Sequence, residues 1–258
     1  MHKLIRRIRE NLFLFEQLVK RDFRFKYKGT VLGAFWSVLS PLLTLFIMKI
    51  IFTEFFGRNT PHYTIYLFAG NIVMSYFREG TIGGMTSLSD NAQIITKINM
   101  PKYLFLLSKN VSALINFLMT FAVFLLFCIF DHIVFSWRFL ALVWPIICLS
   151  LLIIGTGMIL SCFYVFFRDT QYLYNVFLTL LNYLSAVFYR VDQFPAELQR
   201  LFLLNPVYVI IKYIRTVVID GHLPSLPYHC LCLFYPVLFV AIGMIMYRKY
   251  NHQFIYYF

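Results

Sequence analysis

The sequence predicts an all-α integral membrane domain: six transmembrane helices, an amphipathic helix lying along the interface at the amino terminus, and a re-entrant hairpin on the outer side before the last span. Three observations lead there. The 258-residue chain is 60% hydrophobic and only 13% charged, whereas soluble globular chains run near a quarter charged and could not bury such an apolar excess. Apolar stretches of about 20 residues, the length a helix needs to cross a hydrocarbon core, recur along it. The basic residues gather in segments that one side of a membrane would hold.

Residues 1–28 form the interface helix. At 100° per residue, Ile5, Ile8, Leu12, Phe15, Val19 and Phe23 fall within an arc of roughly 80°, with most basic residues on the other side. Because the helix runs straight into a span, the pattern reads as a helix in the cytoplasmic interface rather than a soluble helix packed on a partner domain. Nine basic residues, Lys3, Arg6, Arg7, Arg9, Lys20, Arg21, Arg24, Lys26 and Lys28, precede the first long apolar run. Such a block marks the cytoplasmic side and attracts anionic headgroups, so the net charge of +12 argues for lipid and against nucleic acid. The stretch is too charged, and its apolar positions too periodic, for a cleavable signal peptide. Gly29 and Gly33 permit a sharp turn from lying to crossing, and the ring of Trp36 suits the headgroup level.

Spans are expected at 31–56, 64–88, 105–130, 139–166, 172–189 and 229–247. A seventh apolar stretch, 206–219, begins at the helix-start signal Asn205-Pro206 and stops at Asp220-Gly221. Its 14 residues make about 21 Å of helix, too short to cross comfortably. With the amino terminus inside, six crossings keep Arg248 and Lys249 inside, with Lys97, Lys102, Lys109 and Arg168 between spans; a seventh would send the carboxyl-terminal pair out. Residues 190–221 therefore read as a re-entrant hairpin, the amphipathic "ELQRLFLL" after Pro195 supplying its other arm.

Few residues offer catalysis. No G-x-x-x-x-G-K-[ST] phosphate loop, H-E-x-x-H pair or G-x-S-x-G elbow occurs. The six histidines scatter over termini and loops, and the eleven acids include no close pair in one loop. Cys128, Cys148, Cys162, Cys230 and Cys232 lie in apolar stretches without C-x-x-C spacing and read as small buried hydrophobes, not a metal site. No catalytic residue, metal or cofactor is expected in this chain.

Charges inside the spans are more telling, since they are costly at membrane depth. Arg78 and Glu79 are adjacent, so they point about 100° apart and must meet different partners. Two readings are open: they bridge helices or subunits beside a conduit, or the helix breaks at Gly80, Gly83 or Gly84 and both reach interfacial water. Lys212 and Arg215 share a helix face, either to meet phosphate on the outer side or to snorkel to the interface. Aromatics are 20% of the chain; most read as packed core or lipid-facing, while Tyr and Trp along a passage would suit sugar rings.

Five stretches in order resemble the transmembrane subunits of ABC-2 type exporters for polysaccharides and polyol phosphates. They are "RDFRFKYKGTVLGAFWSVLSPLL" at 21–43, "LFAG" at 67–70, "DNAQIITKINMPKYLF" at 90–105, "FYVFFRDTQYL" at 163–173 and "NPVYVIIKYIRTVVIDG" at 205–221. The resemblance implies a homodimer of six-span subunits enclosing a channel, with two copies of a separate ATPase, which holds the ATP and Mg, bound below. It implies export of undecaprenyl-linked glycan (O-antigen, capsule or teichoic acid) across the bacterial inner membrane, both termini being cytoplasmic. An exporter of small drugs or lipids would share the fold; from another class, a membrane enzyme acting on lipid-linked sugars is the rival.

By the same resemblance, residues 89–104 form the coupling region, with Asn91, Ile94, Ile95, Lys97, Pro101 and Lys102, joined by Arg168 and Asp169 between spans four and five. Lys20, Arg21, Arg24, Lys26, Tyr27, Lys28 and Trp36 would form a collar where a lipid-linked substrate approaches, the cations facing its pyrophosphate. Arg78, Glu79, Tyr189, Asn205, Pro206, Lys212 and Arg215 are assigned to channel and gate. The chain departs from the family pattern at Val73-Met74, where Pro-Trp is usual, at Arg78-Glu79, and at Ser185-Ala186-Val187, where Ser-Pro-Val is usual.

Overall fold

The computed structural model describes residues 2–52, 61–97, 101–250 and 253–254, with side chains from residue 12 onward except Phe52. The expected positions Ile5 and Ile8, the span end 53–56 and coupling residues 98–100 lie outside the described residues or side chains. Every described element is helical. Helix α1 runs His2–Tyr27, α2 Trp36–Phe52, α3 Tyr63–Asp90, α4 Ala92–Ile95, α5 Tyr103–Phe130 and α6 Val143–Phe166. They are followed by α7 Thr170–Leu184, α8 Ala196–Phe202, α9 Pro206–Val218 and α10 Leu226–Tyr250.

Among the described residues, four helical stretches are long and apolar enough to cross a membrane: Gly33–Ile51, Tyr103–Phe130, Trp137–Phe166 and Leu226–Tyr250. The pair α8 and α9, bent by 107° at its break, makes a fifth if it is a single span, and otherwise a re-entrant loop. The stretch expected at 64–88 falls on α3, which is 28 residues long but carries Asn71, Arg78 and Glu79. That expected at 172–189 falls on α7, which stops at Leu184.

Helix α6 is the hub, packed between α3 and α10. With no difference in hydrophobicity between lipid tails and leucine, such helices associate by close packing and interhelical hydrogen bonds. Close packing is visible at Gly155, where an added Cβ would stand 2.5 Å from the backbone nitrogen of Val240 on α10. The hydrogen bonds come from tyrosines. Tyr76 of α3 meets Ser150 of α6 at 3.0 Å, Tyr247 of α10 meets Ser161 of α6 at 2.9 Å, and Tyr174 of α7 donates to Thr81 of α3 at 2.7 Å. Cys128, Cys148, Cys162 and Cys232 are buried among apolar neighbours, whereas Cys230 is exposed.

Two helix interruptions show how freed backbone groups are met. The turn into α2 uses Gly29 at φ +80° and Gly33 at φ +53°, the left-handed region that glycine enters at no steric cost. Pro41 sits inside α2 and lacks the N–H that would bond the carbonyl four residues back. That carbonyl, of Ser37, accepts instead from the Thr120 hydroxyl on α5 at 3.1 Å.

Candidate functional site

Three places gather the polar side chains: the end of the bundle where α1 docks, a cavity above it between α2, α3 and α5, and a hinge at the opposite end.

At the first, Leu14, Leu18 and Asp22 recur every four residues and turn one edge of α1 onto the bundle, Leu18 and Asp22 being buried. The row lies beside the apolar arc read from the sequence, whose Phe15, Val19 and Phe23 are half-buried and whose Leu12 is exposed. A buried acid needs partners. The Asp22 carboxylate takes Arg21 at 2.8 Å on one oxygen and the Ser108 hydroxyl of α5 at 2.9 Å on the other. Lys109 lies 3.9 Å from it and 3.3 Å from Asp90 at the end of α3. Arg21 also donates to Asn91 Oδ1 at 2.7 Å, and Asn91 Nδ2 donates to the Ser87 carbonyl. The basic run is thus partly consumed in holding α1 to the junction of α3 and α4.

The coupling candidates lie at this same end. Ile95 is buried in an apolar cluster with Leu18, Leu88, Phe105, Val165, Tyr247 and Phe254, and Ile94 packs against it. Pro101 is half-buried, and Lys102 is buried with its ammonium 5.4 Å from the centroid of Phe254. Burial holds the Lys102 ammonium below the usual lysine pKa range. Lys97, Arg168 and Asp169 are exposed, and Phe166, two residues before Arg168, packs against the same cluster.

The remaining collar residues divide. Lys20 pairs with Glu16 one turn away at 2.5 Å, while Arg24 and Lys28 are exposed and line an open groove. Lys26 reaches up to α3 and pairs with Glu79 at 2.7 Å. The same Glu79 oxygen accepts from Asn116 Nδ2 of α5 at 2.7 Å, and Asn116 Oδ1 accepts from the Tyr27 hydroxyl at 2.8 Å. Of the two readings left open, helix bridging describes Glu79, which joins α1, α3 and α5; Arg78 is exposed on another face. Helix α3 runs unbroken through Gly80, Gly83 and Gly84. Above this cluster opens a cavity of about 490 Å³, with Trp36 on its wall.

The hinge occupies 185–189, where the chain leaves α7. Ala186 has φ +51°, a left-handed conformation that costs a non-glycine residue about 1–2 kcal/mol. The carbonyls freed there are met one by one. Asn205 Nδ2 donates to the carbonyl of Leu184, Arg215 to those of Ala186 and Val187, Tyr63 to that of Phe188 and Tyr66 to that of Tyr189. Irregular backbone survives in an apolar medium only when it is satisfied in this way. Arg215 is the centre: buried, it also donates to the Tyr66 carbonyl at 2.9 Å, and its guanidinium carbon stands 3.4 Å from the centroid of the Tyr66 ring. Gly70 of the "LFAG" stretch makes the room, since an added Cβ would lie 2.7 Å from Arg215 Nη2.

Arg215 therefore neither snorkels nor presents its charge beside Lys212. Lys212 is half-buried, its ammonium 5.5 Å from the Tyr228 ring centroid and 6.0 Å from that of Tyr208. Asn205 caps α9 by accepting from the amides of Val207 and Tyr208, with Pro206 at the first helical position. The Tyr189 hydroxyl donates to the carbonyl of Tyr183.

Sequence reasoning missed Asp22, Ser108, Asn116, Tyr63 and Tyr66. An acid inside a basic run, an asparagine in the middle of a span and two tyrosines one helical turn apart were the available signals. No group of three or more histidine, cysteine, aspartate or glutamate residues placed to hold a metal occurs among the described residues.

A helical bundle with membrane-length spans, buried interhelical polar contacts and a hydrogen-bonded break within an apolar region defines a multi-pass integral membrane protein. Residues 14–219 match the family described as ABC-2 type transporter, and the chain belongs to it. As a member of that family it is a membrane transport component. Among curated relatives, an O-antigen export system permease protein RfbA of Klebsiella pneumoniae is 28% identical over 249 residues, covering 94% of this chain and 95% of its own length. A protein of the same description from Myxococcus xanthus is 25% identical over 229 residues, 87% of each chain.

Proposed function

We propose that the chain is the channel-forming membrane subunit of an ATP-driven exporter that moves undecaprenyl-linked glycan of the O-antigen type across the bacterial inner membrane. The observation that carries this reading is the collinear match. The collar, α4 and α9 all fall within the region shared with the family, and relatives described as O-antigen export permeases align over nearly the whole chain.

In this reading α2, α3, α5, α6 and α10 cross the membrane, α7 crosses together with the 185–189 segment that follows it, and the α8–α9 pair folds back from the outer side. The 13 residues of α9 make about 20 Å of helix, short of a hydrocarbon core. Six crossings keep Arg248 and Lys249 with the collar on the cytoplasmic side, as the distribution of positive charge requires. Two subunits enclose the channel and two ATPase subunits dock below, against exposed Lys97, Arg168 and Asp169. Force on α4 then passes through Ile95 into the apolar cluster and through Asn91 and Arg21 into α1, a rigid-body route suited to alternating access. The exposed cations Arg24 and Lys28 meet the lipid pyrophosphate, and the 185–189 hinge with α8 and α9 gates the outer end.

The test is co-purification with the cognate ATPase in lipid nanodiscs, comparing wild type with Lys97→Glu and Pro101→Gly. Both changes are expected to weaken complex formation or uncouple ATP turnover from export. A chain that binds no ATPase and instead modifies a lipid-linked sugar would overturn the reading.

A further inference from the structure

The 490 Å³ cavity between the end of α1 and the facing sides of α2, α3 and α5 sets several hydroxyl and charged side chains among apolar ones. Its volume falls within the range of about 300–1,000 Å³ usual for small-ligand sites. Along α2 it is lined by Ser40 and Thr44, one helical turn apart, and on α3 by Ser75, whose side chain is exposed. Tyr76 and Phe117 stack at 4.6 Å on another wall, and Trp36 stands near the α1 end. The floor is the Lys26, Glu79 and Asn116 cluster. Both donors use Glu79 Oε1, and Oε2 accepts from none of the described residues.

A half-exposed carboxylate with one oxygen committed and one open, beside the Ser40 and Ser75 hydroxyls and the exposed Trp36 ring, fits a sugar ring. A pyranose offers hydroxyl donors to the carboxylate, accepts from serine and lysine, and lays its apolar face on an aromatic ring. The position adds a constraint. The cavity starts at the level of the collar and rises beside α2, whose neighbouring Leu43, Phe46 and Ile47 are large, apolar and exposed, a face suited to lipid. A sugar attached to a lipid can place its head inside while its tail stays in the bilayer.

We propose that this cavity is a binding site for a lipid-tethered pyranose taken from the cytoplasmic leaflet, with Glu79 as its principal hydrogen-bond acceptor. The inference rests on the export reading, which supplies a lipid-linked glycan for the chain to handle. It places the first sugar contact within one subunit, apart from the channel between two.

Trp36 gives a direct readout. In the full chain reconstituted in nanodiscs, Trp137→Phe and Trp144→Phe leave it as the sole tryptophan; Trp137 is exposed, and the Trp144 indole nitrogen bonds no described group. Hexyl β-D-maltoside is titrated against Trp36 emission, with maltose and hexan-1-ol as the untethered sugar and the sugarless tail. Saturable binding of hexyl maltoside at least tenfold tighter than either is expected. Glu79→Gln should weaken it tenfold or more, and Ser75→Phe, which fills the cavity from an exposed position, should abolish it.

An equal response to hexanol, or unchanged binding in both variants, overturns the site. Equal affinity for maltose overturns the lipid tether. Glycan export is scored separately in cells. If wild type fails to export while Trp36 still reports Glu79-dependent maltoside binding, the export reading falls and the sugar site stands.

Discussion

Replacing Arg215 with methionine should open the hinge at 185–189. The guanidinium makes four hydrogen bonds to three carbonyls: Tyr66 twice, Ala186 at 2.8 Å and Val187 at 3.0 Å. Methionine keeps much of the volume and donates nothing. The Ala186 carbonyl would retain only the Tyr66 hydroxyl at 3.5 Å, and that of Val187 would lose the guanidinium. Each stranded buried acceptor costs about 1–3 kcal/mol. Losing the guanidinium's stacking on Tyr66 costs about 2 kcal/mol more in a desolvated site. Relief of the buried charge, several kcal/mol, offsets part of this. The expected net is about 2–4 kcal/mol against the closed hinge, a shift of roughly 30-fold or more in its opening equilibrium at about 1.4 kcal/mol per decade. A cysteine introduced at Val187, in a background where exposed Cys230 is serine, reports this as the rate of labelling by a charged maleimide. Arg215→Lys, with one compact ammonium in place of a five-donor fork, should fall between. A labelling rate within twofold of the parent for Arg215→Met would refute the view that the hinge is held through these carbonyls.

Asp22→Asn should loosen α1 from the bundle by about 1–3 kcal/mol, the cost of weakening a buried charge-assisted cluster, read as faster amide exchange over residues 14–25; exchange unchanged there would show that Leu14 and Leu18 suffice. Gly155→Leu should lower the apparent unfolding midpoint by several degrees or abolish assembly, because its Cβ would meet the Val240 backbone at 2.5 Å, which cannot yield as a side-chain tip would. Asn205→Ala should cost about 1 kcal/mol from the lost cap of α9, and more once the Leu184 and Ser185 contacts are counted; asparagine-to-aspartate, which keeps the acceptor, should recover the cap but not the donated bonds, and equal midpoints for the two would contradict that division.

Much of the scaffold was legible before any coordinates. The α9 segment starts at Asn205-Pro206 and ends before Asp220-Gly221 because the cap and the stop are local chemistry, written in adjacent residues. The turn at Gly29 and Gly33 was legible for the same reason. The α1 helix was visible from its periodicity, yet the edge it docks was not. Leu14 and Leu18 are no more apolar than Leu12 or Phe15, and the deciding residue, Asp22, looks like an ordinary surface acid until Ser108 arrives from 86 residues away.

The sequence by itself determined that the chain is helical and membrane-embedded, where four of its long apolar helices run, and where its charges lie. Those follow from composition, period and local capping, which involve no partner distant in the chain. Only the tertiary structure decided what the polar residues do. Arg215 became the buried donor of a hinge, Glu79 the floor of a cavity, and α7 ended at Leu184 rather than 189, each through partners 21 to 149 residues distant. In a bilayer, lipid and protein interior are equally apolar, so hydrophobic pattern cannot tell a helix face that meets lipid from one that meets another helix. That choice is made by glycine contacts and hydrogen bonds between spans, and it exists only once the helices have packed.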